Sequence, residues 1–244
     1  MGESGGLMSD YWRKFWDEHA KASRDMNPQL QVLRTWQKQP VEDKIFQEIL
    51  ETIQCALELS SEHVLLDLCC GNGLITKKLS PLCKEITGVD FTAELIEHID
   101  VKAYPNVRPI VSDILSCDFA PCSFDNVLIY SSIQYFTQPE TVRLFELIWR
   151  WLKPLGRLFL GDIPDQRRIW NFFNNVERES VYFEHLRDQQ PIIGTWYDFA
   201  WLEKLSRHAG FRQTLQINQP PHFPFSHFRF DALFCKSEEE AVDG

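Results

Sequence analysis

The sequence predicts an α/β fold: a doubly wound, seven-stranded, mostly parallel sheet with the last strand antiparallel, a helical N-terminal cap and a helical insert after the fifth strand. Three observations lead there. From Val64 onward, apolar runs of strand length alternate with stretches of helical spacing, the cadence of right-handed crossovers between parallel strands. The first run, Val64-Leu-Leu-Asp-Leu-Cys69, is apolar almost throughout and ends in a glycine turn, as a strand covered on both faces requires. The last two runs are separated by about eleven residues, too few for a crossover helix, so they must pair antiparallel.

Taken in order, Met1-Gly-Glu-Ser-Gly-Gly6 reads as a flexible start outside the fold. A helical stretch from Tyr11 to about Leu57 follows, broken near Asn27-Pro28 and carrying Tyr11, Trp12, Phe15, Trp16 and Trp36. Beyond the first strand come a helix over about 74–79, a strand over 85–89, a helix over 92–101 with Thr92 as its cap, and strands over 107–111 and 124–130. Residues 140–152 set Val142, Phe145, Ile148, Trp149 and Leu152 at helical spacing, and Pro154 with Gly156 ends that helix before a strand over 157–163. An aromatic helical insert occupies Asp165 to Trp196. A helix over 199–208 stops at Ala209-Gly210, and strands over 211–217 and 229–235 close the fold. The expected organisation is one domain over 1–244: cap 7–58, core 59–164, insert 165–197, C-terminal helix and antiparallel hairpin 198–236, and acidic tail 237–244.

Twenty-five Lys and Arg against 35 Asp and Glu give a net charge of −10, which repels phosphate backbones and argues against a nucleic-acid partner. No apolar run approaches the ~20 residues of a bilayer span, and the first ten residues lack the basic and apolar regions of a signal peptide. A cytoplasmic protein without a membrane partner is expected. The seven cysteines, at 55, 69, 70, 83, 117, 122 and 235, are odd in number and lack paired CxxC spacing, which predicts reduced, mostly buried thiols and no metal site.

The chemistry concentrates at strand ends. Asp67-Leu-Cys-Cys-Gly-Asn-Gly73 follows a strand and opens a helix, where glycines let the backbone approach a ligand and free N–H groups can bond it. Nineteen residues after Gly71, Asp90 ends the second strand, the place from which a carboxylate accepts hydrogen bonds from a ribose diol. A nucleoside-containing cofactor is implied. Asp125 and the Cys69-Cys70 pair read as structural, a cap or surface charge and strand-end packing respectively.

Asp67 to Gly73 resembles the glycine-rich motif of class I S-adenosylmethionine-dependent methyltransferases. The resemblance runs over most of the chain: Ile86-Thr-Gly-Val-Asp90-Phe91 is similar to the family's ribose motif and Ser112-Asp113-Ile114 to its adenine motif. Phe124-Asp-Asn-Val-Leu-Ile-Tyr130 and Leu152-Lys-Pro-Leu-Gly-Arg-Leu158 are similar to its fourth strand and the turn before its fifth. Cys69 and Leu155 stand where many members carry glycine. The resemblance implies S-adenosylmethionine as methyl donor, with S-adenosylhomocysteine as product. It implies that Asp67, Gly71 and Gly73 hold the amino-acid end, Asp90 the ribose hydroxyls, and Asp113 with Ile114 the adenine, with Cys69, Asn72 and Phe91 also among the cofactor-binding residues. Tyr130 and Ser131 would border the sulfonium, Arg34 would reach the carboxylate, Tyr11 would cover the cofactor, and Tyr135 would stand between cofactor and acceptor wall.

The expected acceptor wall draws on the insert and the Pro-rich loop: Gln134, Asp162, Arg167, Arg168, Trp170, Tyr182, Trp196, Tyr197 and Arg229. This mixture of aromatics and cations suits an anionic or polar acceptor, a small molecule or short peptide methylated on oxygen. A carboxylate acceptor arrives ionised, whereas an alcohol needs a base and an amine must first lose a proton. His185, His222 and His227 are the candidate catalytic groups, each with a structural alternative as a hydrogen-bonded residue. Rival readings are an N-methyltransferase, a nicotinamide-dependent oxidoreductase, and a cofactor-binding scaffold without turnover. The oxidoreductase is disfavoured by Thr76 at the third glycine position and by Asp113.

Overall fold

The structure, a computed structural model, describes residues 6–188, 190 and 193–238. The start up to residue 5 and the acidic tail from residue 239 therefore lie outside the described residues. The chain enters through α1 (Gly6–Ser23) and α2 (Pro28–Gln31), whose N-cap Asn27 accepts from Gln29 N at 2.9 Å. A hairpin, β1 (Thr35–Trp36) and β2 (Gln39–Pro40), and helix α3 (Asp43–Leu57) follow. The hairpin corrects the expectation of helix here. It turns on Gln37 and Lys38, both with positive φ (50° and 65°), a mirror-image turn made without the Asn or Gly that normally announces it.

The sheet is built from β3 (Val64–Leu68), β4 (Glu85–Asp90), β5 (Val107–Val111), β6 (Phe124–Tyr130), β7 (Leu152–Pro164), β8 (Gln213–Ile217) and β9 (Arg229–Cys235). Its order is β5-β4-β3-β6-β7-β9-β8, with β9 antiparallel to both neighbours and the other pairs parallel. The chain walks outward from β3 to β5, then returns to lay β6 on the other side of β3. This switch point opens a crevice at the carboxyl ends of the strands.

Helices α4 (Thr76–Leu79), α5 (Ala93–Ile96), α6 (Gln138–Trp151) and α9 (Phe199–His208) connect the strands, and the insert carries α7 (Ile169–Phe172) and α8 (Val176–Arg187). Alternation along the strands divides the core. Leu66, Leu68, Val127, Ile129, Leu158 and Leu160 face α6 and α9, while Leu65, Ile86, Leu128 and Phe159 face α3.

Two helix expectations need correction. The helix expected over 92–101 is α5 alone: beyond Ile96 the chain turns through i→i−3 bonds, and Ile99 packs beneath Gly73, 2.8 Å from where a Cβ there would lie. In α6 the buried stripe is Thr141, Leu144, Phe145, Ile148 and Trp151, one position round from the expected Val142 and Trp149. Its start is fixed by a capping box between Thr137 and Glu140. None of the seven cysteines is disulfide-bonded; Cys83 is buried, Cys69, Cys70, Cys117, Cys122 and Cys235 are partly buried, and Cys55 is exposed. Among the described residues no helix is long and apolar enough to cross a membrane.

Candidate active site

One cavity lies at the switch point, lined by the tips of four neighbouring strands and by the N-terminal segment. The turn after β3 contributes Asp67, Cys69, Cys70 and Gly71; β4 contributes Asp90 and Phe91; the end of β5 contributes Asp113 and Ile114; β6 contributes Tyr130 and Ser131. Tyr135, Arg34 and Val32 complete much of the wall.

The glycine turn takes its shape from Asp90, whose two carboxylate oxygens accept from Gly71 N and Thr92 N, each at 2.9 Å. Gly71 has φ +55°, and a Cβ there would meet Val32 Cγ1 at 2.9 Å, so neither the conformation nor the space admits a side chain. Cys69 holds φ +58° in the same turn, the left-handed conformation that glycine would occupy without strain. Asp67 accepts from Thr76 Oγ1 at 2.6 Å, and burial, together with the nearby Asp90 charge, pushes its carboxyl up to about 7 despite that bond. Burial also pushes the Cys69 and Cys70 thiols well above their ordinary range, which makes them packing groups rather than nucleophiles.

At the adenine-motif end, Asp113 Oδ1 caps Leu115 N and Oδ2 accepts from Arg13 Nη2, both at 2.9 Å. At the opposite end, Arg34 donates to Asp162 Oδ2 at 2.9 Å and to the Tyr130 hydroxyl at 3.0 Å. Asp162 also accepts from Ser131 Oγ and Gln219 Nε2, and Arg229 approaches it at 3.5 Å. Burial alone would raise the Asp162 carboxyl, but Arg229 and Arg34 hold it below its usual value. Burial pushes the Tyr135 phenol up to about 12.

Three expected cofactor residues lie outside this wall. Asn72 turns away, donating to Pro28 O and Gln31 Oε1 and so tying the turn to α2. Gly73 gives its space to Ile99, and Tyr11, 40% exposed, packs edge-on against Trp12. The helix α1 instead brings Trp12, Arg13 and Trp16 into the cavity. Their spacing of one face on a helix was readable, but nothing in the sequence said which aromatic would face inward.

The expected acceptor residues are engaged elsewhere. Arg167 pairs with Asp165 and Asp198, and Arg168 with Asp165 and Ser226 O. Trp170 is half exposed against Tyr182 and Phe183; Trp196 is buried among Phe172, Phe173 and Phe228. Tyr197 is buried, its hydroxyl 2.7 Å from Thr141 Oγ1. Gln134 donates to Ser131 O, while its backbone carbonyl accepts from Thr195 N. Arg229 backs Asp162 between Phe225 and Phe228. None of these groups lines the cavity. The histidines are likewise outside it: His222 is paired with Glu48 at 2.6 Å, His227 is exposed beside Trp36 and Phe228, and His185 sits on α8. For the insert the reason is packing: it and the Pro-rich loop pack on each other, forming an aromatic cluster around Ile169, Phe173, Trp196 and Phe228.

A methyltransferase-domain family model matches residues 65–156, which run from β3 into β7. The chain is 28% identical over 165 residues to a demethylmenaquinone methyltransferase of Lactococcus lactis, covering 60% of this chain and 65% of that protein. It spans less than two thirds of the length of the curated relatives it matches, 65%, 38% and 56% for three of them. Among solved structures it resembles a phosphoethanolamine N-methyltransferase of Haemonchus contortus in complex with phosphoethanolamine and S-adenosylhomocysteine. The TM-score is 0.71 at 13% identity, over 99% of this chain and 51% of that one. A Burkholderia thailandensis 1,6-didemethyltoxoflavin-N1-methyltransferase gives 0.64 at 13% identity, over 97% and 92%. Across its central strands the chain thus matches a methyltransferase-domain model, and it shares its fold with these methyltransferases.

Proposed function

We propose that this protein transfers a methyl group from S-adenosylmethionine to a small-molecule acceptor bound at the switch-point cavity. The observation that carries the reading is the convergence of Asp67, Asp90 and Asp113, from three adjacent strand tips, with a side-chain-free turn at Gly71 around one cavity. The groups present fit the donor. Two buried N–H donors of the cavity wall, Trp12 Nε1 and Arg34 Nε, have no hydrogen-bond partner, and the carboxylates keep acceptor capacity beyond the bonds they make. Such a set suits a ligand carrying an ammonium, a carboxylate and a ribose diol.

In this reading Asp67 and the turn at Cys69 and Gly71 hold the amino-acid end, Arg34 offers its unpartnered Nε to the carboxylate, Asp90 takes the ribose, and Asp113 and Ile114 the purine, with the Phe91 ring as the face on which it stacks. Tyr130, Ser131 and Tyr135 border the reacting centre. When bound, S-adenosylmethionine supplies a methyl activated by its sulfonium and displaced in line by a nucleophile. The chain's own contribution is then alignment and exclusion of water, an effect that can supply ~7–11 kcal/mol.

We infer that the acceptor atom is oxygen, and a carboxylate first of all. No histidine lines the cavity, the Tyr135 phenol is pushed up to about 12 and the thiols lie well above their ordinary range; with Asp67, Asp90 and Asp113 taken up by the donor in this reading and Glu140 by the cap of α6, no group is left as a dedicated base for an ammonium. A carboxylate needs none. Calorimetry with S-adenosylmethionine and S-adenosylhomocysteine tests the donor; absence of affinity for both defeats the reading. A methyl-transfer panel of carboxylic acids, phenols and amines tests the acceptor, and transfer to nitrogen alone overturns the oxygen assignment.

A further inference from the structure

Arg13 reaches from α1 into the cavity wall and makes two contacts there. Its guanidinium carbon lies over the Phe91 ring, 4.9 Å from the centroid, and Nη2 donates to Asp113 Oδ2 at 2.9 Å. The other oxygen of Asp113 is committed to Leu115 N. A flat, delocalised cation stacked on an aromatic face, with an in-plane N–H directed at a carboxylate, offers what a purine with an exocyclic amino group would offer in the same place.

We infer that Arg13 is a built-in competitor for the purine end of the site. The inference rests on the cofactor reading above and adds its regulation: a purine can stack on Phe91 and bond Asp113 only once Arg13 has let go of both. The remainder of α1 is held by further contacts. Its other ion pairs with the body are Lys21–Glu94 and the neighbouring Arg24–Glu97, at 3.8 and 3.0 Å, beside a contact of His19 Nε2 with Leu30 O at 3.1 Å. In all three ion pairs the cation is on the α1 side and the carboxylate on the sheet side. The Arg13–Asp113 pair is itself 42% and 40% exposed, so each link is weak and screened by salt. The apolar seam beneath joins Trp16, Ala20 and Leu95, and Trp12 and Trp16 pack on Tyr135 at 4.7 and 5.8 Å, contacts that salt does not screen. Ionic strength should therefore loosen the Arg13 side chain and free the slot.

The test is calorimetric titration of the full chain with S-adenosylhomocysteine, whose net charge is near zero, so that salt acts on the protein's own pairs. Wild type, Arg13→Gln and Arg13→Lys are compared at roughly 0.05 and 0.5 M salt, either side of the ~8 Å screening length at 0.15 M. Arg13→Gln is expected to bind about three- to tenfold more tightly at low salt, the size of one exposed ion pair plus one exposed cation–π contact. Wild-type affinity should rise with salt and the Arg13→Gln affinity should not. Arg13→Lys, which keeps the charge but loses the flat face, should fall between, and it serves alone should the glutamine variant fold poorly. If the variants bind no tighter than wild type, or more weakly, competition by Arg13 is overturned while the cofactor reading stands on the wild-type titration. If wild type itself binds nothing, the cofactor reading fails first.

Discussion

Asp67 holds a proton that a bound cation should expel. Burial is the main reason its carboxyl is pushed up to about 7, so near pH 6 most of this group is neutral in the free protein. An ammonium placed against it favours the charged form and lowers that value. Binding of S-adenosylmethionine near pH 6 should therefore release up to one proton, and affinity should climb as pH rises through 7. Calorimetry in buffers of different ionisation heat measures the number directly; proton uptake, or none, at pH 6 would remove Asp67 from the ligand's charged end. For folding the sign is opposite. The raised group binds more protons folded than unfolded between its ordinary value near 3.9 and about 7, so its contribution to stability falls as pH rises across that window. Backbone strain is the second feature written at single positions. Cys69 and Leu155, the two residues standing where glycine is common in the family, hold φ of +58° and +63°. Leu155 is 62% exposed, so Leu155→Gly loses little packing, and relief of a left-handed strain of ~1–2 kcal/mol outweighs the ~0.5–1 kcal/mol entropy cost of glycine. A gain of up to about 1 kcal/mol in denaturant unfolding is expected.

Between elements, the strongest tie across the cavity is Asp162. It sits in a β7 bulge with φ +62° and binds Arg34 from the N-terminal segment, Ser131 from the end of β6 and Gln219 from the Pro-rich loop. Replacing it by Asn leaves Arg34 and Arg229 buried without their counter-charge, a change of about 3–5 kcal/mol when one partner of a buried pair is lost. Asp162→Asn should show that loss in chemical denaturation, whereas an effect below about 1 kcal/mol would mean that Asp231 or water takes over the charge. The sequence could not show this tie. Residues 34, 131, 162 and 219 meet only through the fold, and Gly161 in the bulge does not tell where it aims Asp162. What the sequence did show was local: the strands over 107–111, 124–130 and 229–235 and the helix over 199–208 agree with β5, β6, β9 and α9, because apolar runs there are bounded by Pro, Gly or polar turns. The Gln37-Lys38 turn was illegible because its residues are not turn formers. The acceptor cations were misplaced for a related reason: composition reveals that a segment has arginines, but not that Asp165 already holds two of them.

Across the whole molecule, stability is distributed very unevenly. The central strands β3, β6 and β7 carry residues with no exposed surface on both faces, whereas α8 has no buried residue and a polar majority. Backbone hydrogen bonds in such a helix can open without disturbing the core, at a cost far below that of global unfolding. Amide exchange should therefore be fastest over 176–187 and slowest over β6, with a difference of several orders of magnitude in rate. Added S-adenosylhomocysteine should slow exchange in the turn after β3, which lines the cavity, and leave α8, which does not, unchanged. A ligand effect concentrated in α8 instead would mean that the insert closes on the site. It would also return Trp170 and Tyr182 to the acceptor wall where sequence composition first put them. Equal protection of α8 and β6 without ligand would mean that a further surface covers Phe183 and Leu186, both more than half exposed in this chain.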